Sequence, residues 1–203
     1  VADSEIAGSY QTALDFVAVH GAQVLRNRMH SAGEWCGYVK GGSANIRVEG
    51  NEMFGCGVGG FAVGEGSDHQ FHVAPYVTYE TYGVQVVNNV FRDLPGHGIG
   101  VQGGYNTLVA HNTFYNVAQG ARGYGLALVA NGSRGCGNQT VCNQYIALGG
   151  WSSTSSAWPP ASIPNRHTWI HNNVFLQDGV STQYGSFAVY PAAAQPPTAV
   201  QVP

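Results

Sequence analysis

The chain has 203 residues and a formal net charge of −3; only 9% of its residues are charged, whereas 44% are hydrophobic. This hydrophobic content argues against a disordered chain, and the 29 glycines argue against a helical bundle. Because the 8 basic residues are spread singly and no apolar run approaches the roughly 18 residues of a membrane span, we expect neither a nucleic-acid partner nor membrane insertion.

Short strands separated by glycine-rich turns follow one another along the chain. Alternation of apolar and polar residues predicts the first strand of successive units at residues 16–20, 38–40, 61–63, 99–102, 126–129 and 187–190. Side chains alternate between the two faces of a strand. The positions that follow the inward valines are therefore expected to form one outward column, made of His20, Lys40, Gly64 and Gln102.

A second strand in most units carries a recurring Asn, followed two residues later by Met or Phe. Its copies are Asn27, Asn51, Asn89, Asn112 and Asn173. A basic repeat of about 23 residues with two or three short strands is typical of one coil of a parallel β-helix. Stacked coils lie roughly 4.8 Å apart. We therefore expect the repeated Asn to line up at a turn that tolerates a left-handed backbone, with its amide bonded to the next coil.

These patterns predict an all-β fold, a right-handed parallel β-helix of roughly six to seven coils. A single domain would span residues 1–190, with loop insertions at about 66–82 and 131–165, and a Pro- and Ala-rich tail or linker would follow at 191–203. An antiparallel β-sandwich is the alternative fold. It does not account for an Asn that recurs at near-constant spacing.

The four cysteines, which allow three pairings, are Cys36, Cys56, Cys136 and Cys142. The first two are about one coil apart, which favours a bond between adjacent coils, and the last two bracket a short loop that a second bond would close. Glycosylation sequons begin at Asn131 and Asn138. Together these features predict an oxidising, extracellular or cell-surface location. A bacterial or cytosolic protein with four buried thiols is the alternative.

The outward column and the insertion at 66–82 supply the candidate functional residues. A partly desolvated lysine has a lowered pKa and can remove a carbon-bound proton. Lys40 is therefore the candidate catalytic base, and a solvated surface charge is the alternative role. Glu65 and Asp68 carry oxygen ligands suited to Ca²⁺, although no cofactor is required. Aromatic rings among scattered polar groups suit a glycan chain. The residues expected to line its groove are His20, Glu65, His69, His72, Tyr76, Tyr79, His97 and Gln102.

The stretch at residues 38–52 resembles right-handed parallel β-helix proteins of the pectate-lyase superfamily. From about residue 15 to residue 190 the chain is similar to a bacterial set of secreted β-helix proteins, with matching motifs at 39–43, 59–61, 86–90, 103–106, 149–151 and 163–166. A more distant likeness to the alginate lyase and chondroitinase B group implies that Lys40 is the base of a β-elimination. The arginine that assists in that group would fall at Gly64, where this chain departs from the pattern.

Two functions are consistent with these features. The first is a secreted β-helix protein that binds or processes an extracellular polysaccharide; if it is an enzyme, a uronate polysaccharide lyase is favoured over a glycoside hydrolase. The second is a non-catalytic cell-surface, matrix or fibre-forming structural protein. The usual N-terminal capping helix of the fold is not evident before Phe16. Open strand edges therefore predict end-to-end self-association or a capping domain, in addition to a glycan partner.

Overall fold

The computed structural model describes residues 1–120, 128–130, 132–135, 140, 143–144, 147, 161–178, 186–189 and 200–201. Through these residues the chain passes three sheets in turn, and strands one coil apart pair in parallel. The result is the predicted parallel β-helix. Within the described ranges, no helix combines the length and the apolar character needed to cross a bilayer.

The three faces of the coil are here named sheets A, B and C. Sheet A consists of β1 (Glu5–Ala7), β4 (Arg28–His30), β8 (Glu52–Phe54), β13 (Val90–Leu94), β16 (Thr113–Val117) and β21 (Val174–Leu176). Sheet B consists of β2 (Leu14–Val17), β5 (Trp35–Lys40), β9 (Gly59–Gly64), β14 (His97–Gln102), β17 (Leu128–Ala130) and β22 (Ala188–Val189). Sheet C consists of β3 (Gln23–Leu25), β6 (Ser43–Ala44), β7 (Arg47–Glu49), β11 (Thr81–Tyr82), β12 (Gln85–Val87), β15 (Gly104–Ala110), β20 (Arg166–His171) and β23 (Val200–Gln201).

A smaller sheet lies apart from the three faces of the coil. It consists of β10 (Gly66–Asp68), β18 (Gly132–Gly135) and β19 (Ala161–Ile163). The first strand pairs in parallel with the second, which pairs antiparallel with the third. A short 3-10 turn, His69–Phe71, follows the first strand. These strands belong to the stretches that the sequence predicts as insertions.

The interior is filled by side chains stacked in register from coil to coil. In sheet A the inward column is Met29, Met53, Phe91, Phe114 and Phe175. Its three Phe rings stack with centroids 5.0 and 5.1 Å apart. In sheet B the inward residues predicted for the second to fourth coils are fully buried: Val39, Phe61, Val63, Ile99 and Val101. In the first coil Val17 instead pairs with the outward Lys40. Burial of each inward side chain stabilises the fold by about 1.5–3 kcal/mol, so these columns are a main source of its stability.

The repeated Asn side chains stand in single file at the turn from sheet C to sheet A, as predicted; we call this file the Asn ladder. From Asn51 onward, the side-chain Oδ1 of each Asn accepts two bonds of 2.9–3.0 Å from the preceding ladder Asn, one from its backbone N–H and one from its amide. Each amide also donates to a carbonyl of the preceding coil, as Asn51 does to Val24 at 2.9 Å. The ladder therefore satisfies buried polar groups and has a structural role.

The ladder turn differs from the prediction in one detail. The left-handed residue is the one before each ladder Asn, with φ between 53° and 67°: Arg26, Gly50, Asn88, His111 and Asn172. The chain reverses at this position. As a result, the backbone N–H of the ladder Asn that follows points at the Oδ1 of the ladder Asn in the next coil.

A disulfide joins Cys36 to Cys56, whose Cα atoms are 5.5 Å apart. This bond between adjacent coils confirms the first predicted pairing. The second predicted pair, Cys136 and Cys142, lies outside the described residues, as do the sequon residues Asn131 and Asn138. Within the predicted tail, Val200–Gln201 forms β23 and pairs with β20. At these two residues the chain returns to extend sheet C.

Candidate functional site

Lys40 ends β5 on the outer face of sheet B and stands in a cleft of about 420 Å³. Its Nζ lies 3.3 Å from the Glu65 carboxylate and 4.4 Å from the centre of the Tyr38 ring. The Lys40 side chain is 21% exposed, so the ammonium is partly desolvated yet still open to a ligand. The remaining lining residues of the cleft are Ser9, Tyr10, Gln11, Thr12, Asp15 and Glu34. We call this surface the Lys40 cleft.

The charges in the Lys40 cleft are unequal, with the carboxylates of Asp15, Glu34 and Glu65 beside a single ammonium. Burial raises the pKa of Tyr38 far above its usual range, and a hydrogen bond with the Asp15 carboxylate raises this pKa further. The Tyr38 hydroxyl therefore remains protonated at physiological pH. The cleft combines an aromatic floor with an excess of hydrogen-bond acceptors.

The outward column beside Lys40 differs from the prediction in the first coil. Val17 pairs with Lys40 in the register of sheet B, and His20 does not. The reason is local: Ala18 has a left-handed φ of 55°, so β2 ends at Val17. His20 instead bridges to Ala44 of the next coil, around the corner from the cleft.

Gly64 and Gln102 continue the column as predicted. Gly64 lies one coil beyond Lys40, and Gln102, which pairs with Gly64, lies two coils beyond it. Gly64 has a φ of 81°, and a Cβ at this position would collide with the carbonyl oxygen of Gln102. The backbone therefore strongly disfavours an arginine here. Lys40 lacks the neighbouring cation that the alginate lyase likeness would require at this position.

Asp68 lies at an adjoining cleft of about 400 Å³, which also includes Phe71 and the other side of Lys40. The nearest polar partner of its carboxylate is the Gln70 amide, at 3.4 Å, whereas Glu65 is paired with Lys40. No group of three or more His, Cys, Asp or Glu side chains is arranged to hold a metal ion in the part of the chain that the structure describes. The two predicted Ca²⁺ ligands thus have separate partners.

His69 and His72 do not line a groove, and this expectation is wrong. His69 is fully buried in the 3-10 turn. The His72 side chain is also fully buried, with Nε2 3.5 Å from Oε1 of the buried Glu80. Glu80 in turn accepts a bond of 3.2 Å from the backbone N–H of Gly41. These residues seat the insertion on the coil, because the insertion folds back over the turn that follows Lys40.

Two more of the predicted groove residues, Tyr76 and Tyr79, lie with His20 on a second surface. There the aromatic side chains of several coils contact one another, with ring centroids between 4.6 and 6.0 Å apart. We call this surface the aromatic strip; its members are His20, Tyr76, Tyr79, Tyr82, Tyr105, His167 and Trp169. It is separated from the Lys40 cleft by the turn at Gly41 and Gly42, against which Phe71 and Tyr76 pack.

His97 stacks on Trp35 with ring centroids 6.2 Å apart, and burial lowers its pKa. Trp35, only 5% exposed, lies over the bare backbone of Gly59 and Gly100. His97 is therefore a packed, neutral ring at neutral pH. It is not in the Lys40 cleft.

Sequence reasoning missed several residues of the two surfaces. Asp15 pairs with Tyr38 in the register of sheet B. Both residues lie two positions before the outward column and on the same face as Lys40. With the first strand placed correctly, the alternation pattern would have identified both as neighbours of Lys40. Tyr82 and Tyr105 are likewise register partners. No local signal marks Tyr10, because its loop meets the cleft only through the fold.

Comparison with known proteins supports the fold. No curated protein and no solved structure matches the chain. Residues 1–145 match the family model described as the right handed beta helix region. This match spans more than half of the sequence and agrees with the parallel coil, so the chain belongs to the right-handed β-helix family.

Proposed function

We propose that this β-helix protein binds an extracellular polysaccharide in the Lys40 cleft. The observation that carries the proposal is the pairing of Tyr10 and Tyr38 with a polar lining. Tyr10 is 94% exposed at the cleft, and a tyrosine ring exposed to this degree is an apolar face open to a ligand. Sugar rings stack on such faces while their hydroxyls bond to polar side chains.

The charges support a neutral polymer as the ligand. Three carboxylates and one ammonium give the Lys40 cleft an excess of negative charge, which would repel a uronate chain. Carboxylates and the side chains of Ser9, Gln11 and Thr12 are suited to sugar hydroxyls. A neutral polysaccharide therefore fits the cleft better than a polyuronate does.

The same geometry favours binding over β-elimination. A catalytic lysine must reach its substrate as a free amine, whereas Lys40 is paired with Glu65. Elimination also needs a positive group to neutralise the substrate carboxylate, and Gly64 supplies none. Extracellular location is part of the proposal, and the Cys36–Cys56 bond supports it because disulfides persist in oxidising compartments.

Native electrophoresis in gels that contain a dissolved polysaccharide tests the proposal. The panel is mixed-linkage β-glucan, xylan, galactomannan, pectate and alginate. We expect a neutral polymer to retard the protein, and Tyr10→Ala to weaken this retardation because it removes an exposed ring without disturbing the core. Tyr115→Ala is the matched control, since Tyr115 lies on sheet A and contacts Asp178.

Two outcomes would contradict binding as the function. If pectate or alginate yields unsaturated products, seen as a rise in ultraviolet absorbance that Lys40→Ala abolishes, the protein is a lyase. If no polymer retards it and electron microscopy shows filaments, the structural protein is the better description.

A further inference from the structure

We infer that the aromatic strip is a second polysaccharide-binding surface, on which an extended, neutral sugar chain lies parallel to the β-helix axis. The ligand class rests on the proposed function, but the surface is distinct from the Lys40 cleft.

The register places the strip along the helix axis. His20 bridges to Ala44, which pairs with Tyr82; Tyr82 pairs with Tyr105, and Tyr105 pairs with Arg166. These five residues therefore form one column through successive coils. A column of this kind offers a linear platform, and a linear polymer is the ligand that matches its shape.

Ala44 would interrupt the aromatic surface, because its side chain is a methyl group. The insertion supplies the missing ring at this coil. Tyr76 contacts His20 with ring centroids 4.6 Å apart and contacts Tyr82 at 5.1 Å. The strip is thus continuous from the first coil onward, and a residue from outside the column makes it so.

Beyond Tyr82 the strip continues without a break. Tyr79 and Tyr105 have ring centroids 5.0 Å apart, and Tyr105 and His167 are 5.3 Å apart. His167 then stacks on Trp169 at 6.0 Å. Tyr105 is 37% exposed, and both His20 and His167 are exposed, so a ligand can reach the strip along its length.

Hydrogen bonds hold the middle of the strip in place. The Tyr82 hydroxyl accepts bonds of 2.8 Å from the backbone N–H groups of Thr78 and Tyr79. These bonds hold the end of the insertion against sheet C and fix the Tyr79 ring beside Tyr105. A preorganised surface loses little conformational entropy on binding.

The choice of rings favours a sugar over a purely apolar partner. In the inward column of sheet A the stacked rings are Phe, which carries no polar group, as in the buried pair of Phe91 and Phe114. Each of the seven rings of the strip instead carries a hydroxyl, imidazole or indole group that can hydrogen-bond. Such rings offer an apolar face and a polar edge together, which is what a sugar ring with its hydroxyls requires.

The test uses the same polysaccharide gels and the full chain. We expect Tyr105→Ala to weaken retardation by the neutral polymer about fivefold, since an aromatic contact contributes about 1 kcal/mol. His20→Ala, which removes a ring at the other end of the strip, should weaken retardation as well. Tyr105→Phe keeps the ring and should retain most of the binding. Tyr115→Ala should leave retardation unchanged. Because the strip is long, oligosaccharides that span several coils should compete better than disaccharides.

The variants separate this inference from the proposed function. Loss of retardation in Tyr105→Ala and His20→Ala, but not in Tyr10→Ala, supports the strip and contradicts the Lys40 cleft. Loss only in Tyr10→Ala overturns the strip and leaves the cleft. If no polymer retards the wild-type protein, both are wrong. Should Tyr105→Ala fail to fold in a thermal melt, His20→Ala alone decides, because His20 is exposed and its removal leaves the core intact.

Discussion

The turn that carries the Asn ladder and the turn that follows Lys40 are corners of the same coils, yet they are built on different principles. At the ladder, coil after coil places the same residue in the same pair of bonds. At the other turn, one coil has Gly41 and Gly42 and the next departs into the insertion at Gly66–Asp68. Residues that recur in every coil hold the stack together, whereas residues that occur once shape the two surfaces that we assign to a ligand.

The two turns also differ in what holds them. The ladder depends on side-chain amides within the interior. The other turn depends on the backbone of the insertion, since Gly42 donates to the Glu80 carbonyl at 2.8 Å and packs against the Tyr76 carbonyl. Damage to the ladder should therefore be global, and damage to the other turn should be local. Two changes test this difference, and a third, at an ion pair on the outer face of sheet A, gives the scale of a surface contact.

Asn89→Ala should have the largest effect. It removes the acceptor for Asn51 and the amide that bonds to Val48 and Val87, and it leaves these groups buried and unsatisfied. We expect the free energy of unfolding to fall by about 3 kcal/mol, measured by urea denaturation. The control is Asn88→Gly, which removes a neighbouring exposed amide and keeps the left-handed backbone. Equal losses in both variants would show that the ladder bonds contribute little.

Gly42→Ala should have a smaller, local effect. A Cβ at Gly42 would collide with the Tyr76 carbonyl, and the φ of 77° adds strain. We expect a loss of about 1–3 kcal/mol and faster proteolysis within the insertion, while the circular dichroism of the sheets persists. Gly21→Ala is the matched control, because φ is 71° there and nothing lies within 4 Å of the added carbon. If the two variants are cut at the same rate, Gly42 does not seat the insertion.

Glu52→Gln should have the smallest effect and should appear only as a change in pH dependence. Hydrogen bonds from Arg92 first, and from Arg28 second, lower the Glu52 pKa below its ordinary value of 4.5. The ion pairs are therefore fully present above about pH 4.5 and are lost as the pH falls through the folded pKa. We expect the wild-type protein to be more stable than the variant at pH 7 by less than about 1 kcal/mol. The difference should vanish at low pH, as measured by denaturation at several pH values; a gap that widens in acid would refute this assignment.

The repeated features of the fold were predictable from sequence because periodicity reports stacking directly. The spacing of the Asn residues predicted the ladder, and the alternation around Val39 placed Lys40 on the outer face. The register of the first strand was misplaced by three residues, since Val17 and not His20 lies beside Lys40, because every position from Phe16 to Val19 is apolar. In such a run, the alternation of apolar and polar residues does not show which side chains face inward. The register is set instead by the left-handed backbone at Ala18, which ends the strand at Val17.

The division of one expected groove into two surfaces was not predictable. It depends on where the insertion returns to the coil, and that is set by contacts between residues far apart in sequence, such as Tyr76 with His20. The burial of His69 and His72 has the same origin. Sequence patterns identify which side chains leave the coil, but they do not say what the insertion will cover.

The Asn ladder has a consequence for how such a protein can change in length. Each ladder Asn is joined to the next by the same pair of hydrogen bonds. A segment that runs from one ladder Asn to the next can therefore be duplicated or removed, and every side-chain amide still finds its acceptor. An insertion or deletion of any other size within a strand next to the ladder would move the Asn side chains out of register with those of the neighbouring coils. Whole turns can therefore be added to this solenoid, and loops can be added at its other corners, as between Asn51 and Asn89, which are 38 residues apart and still bonded.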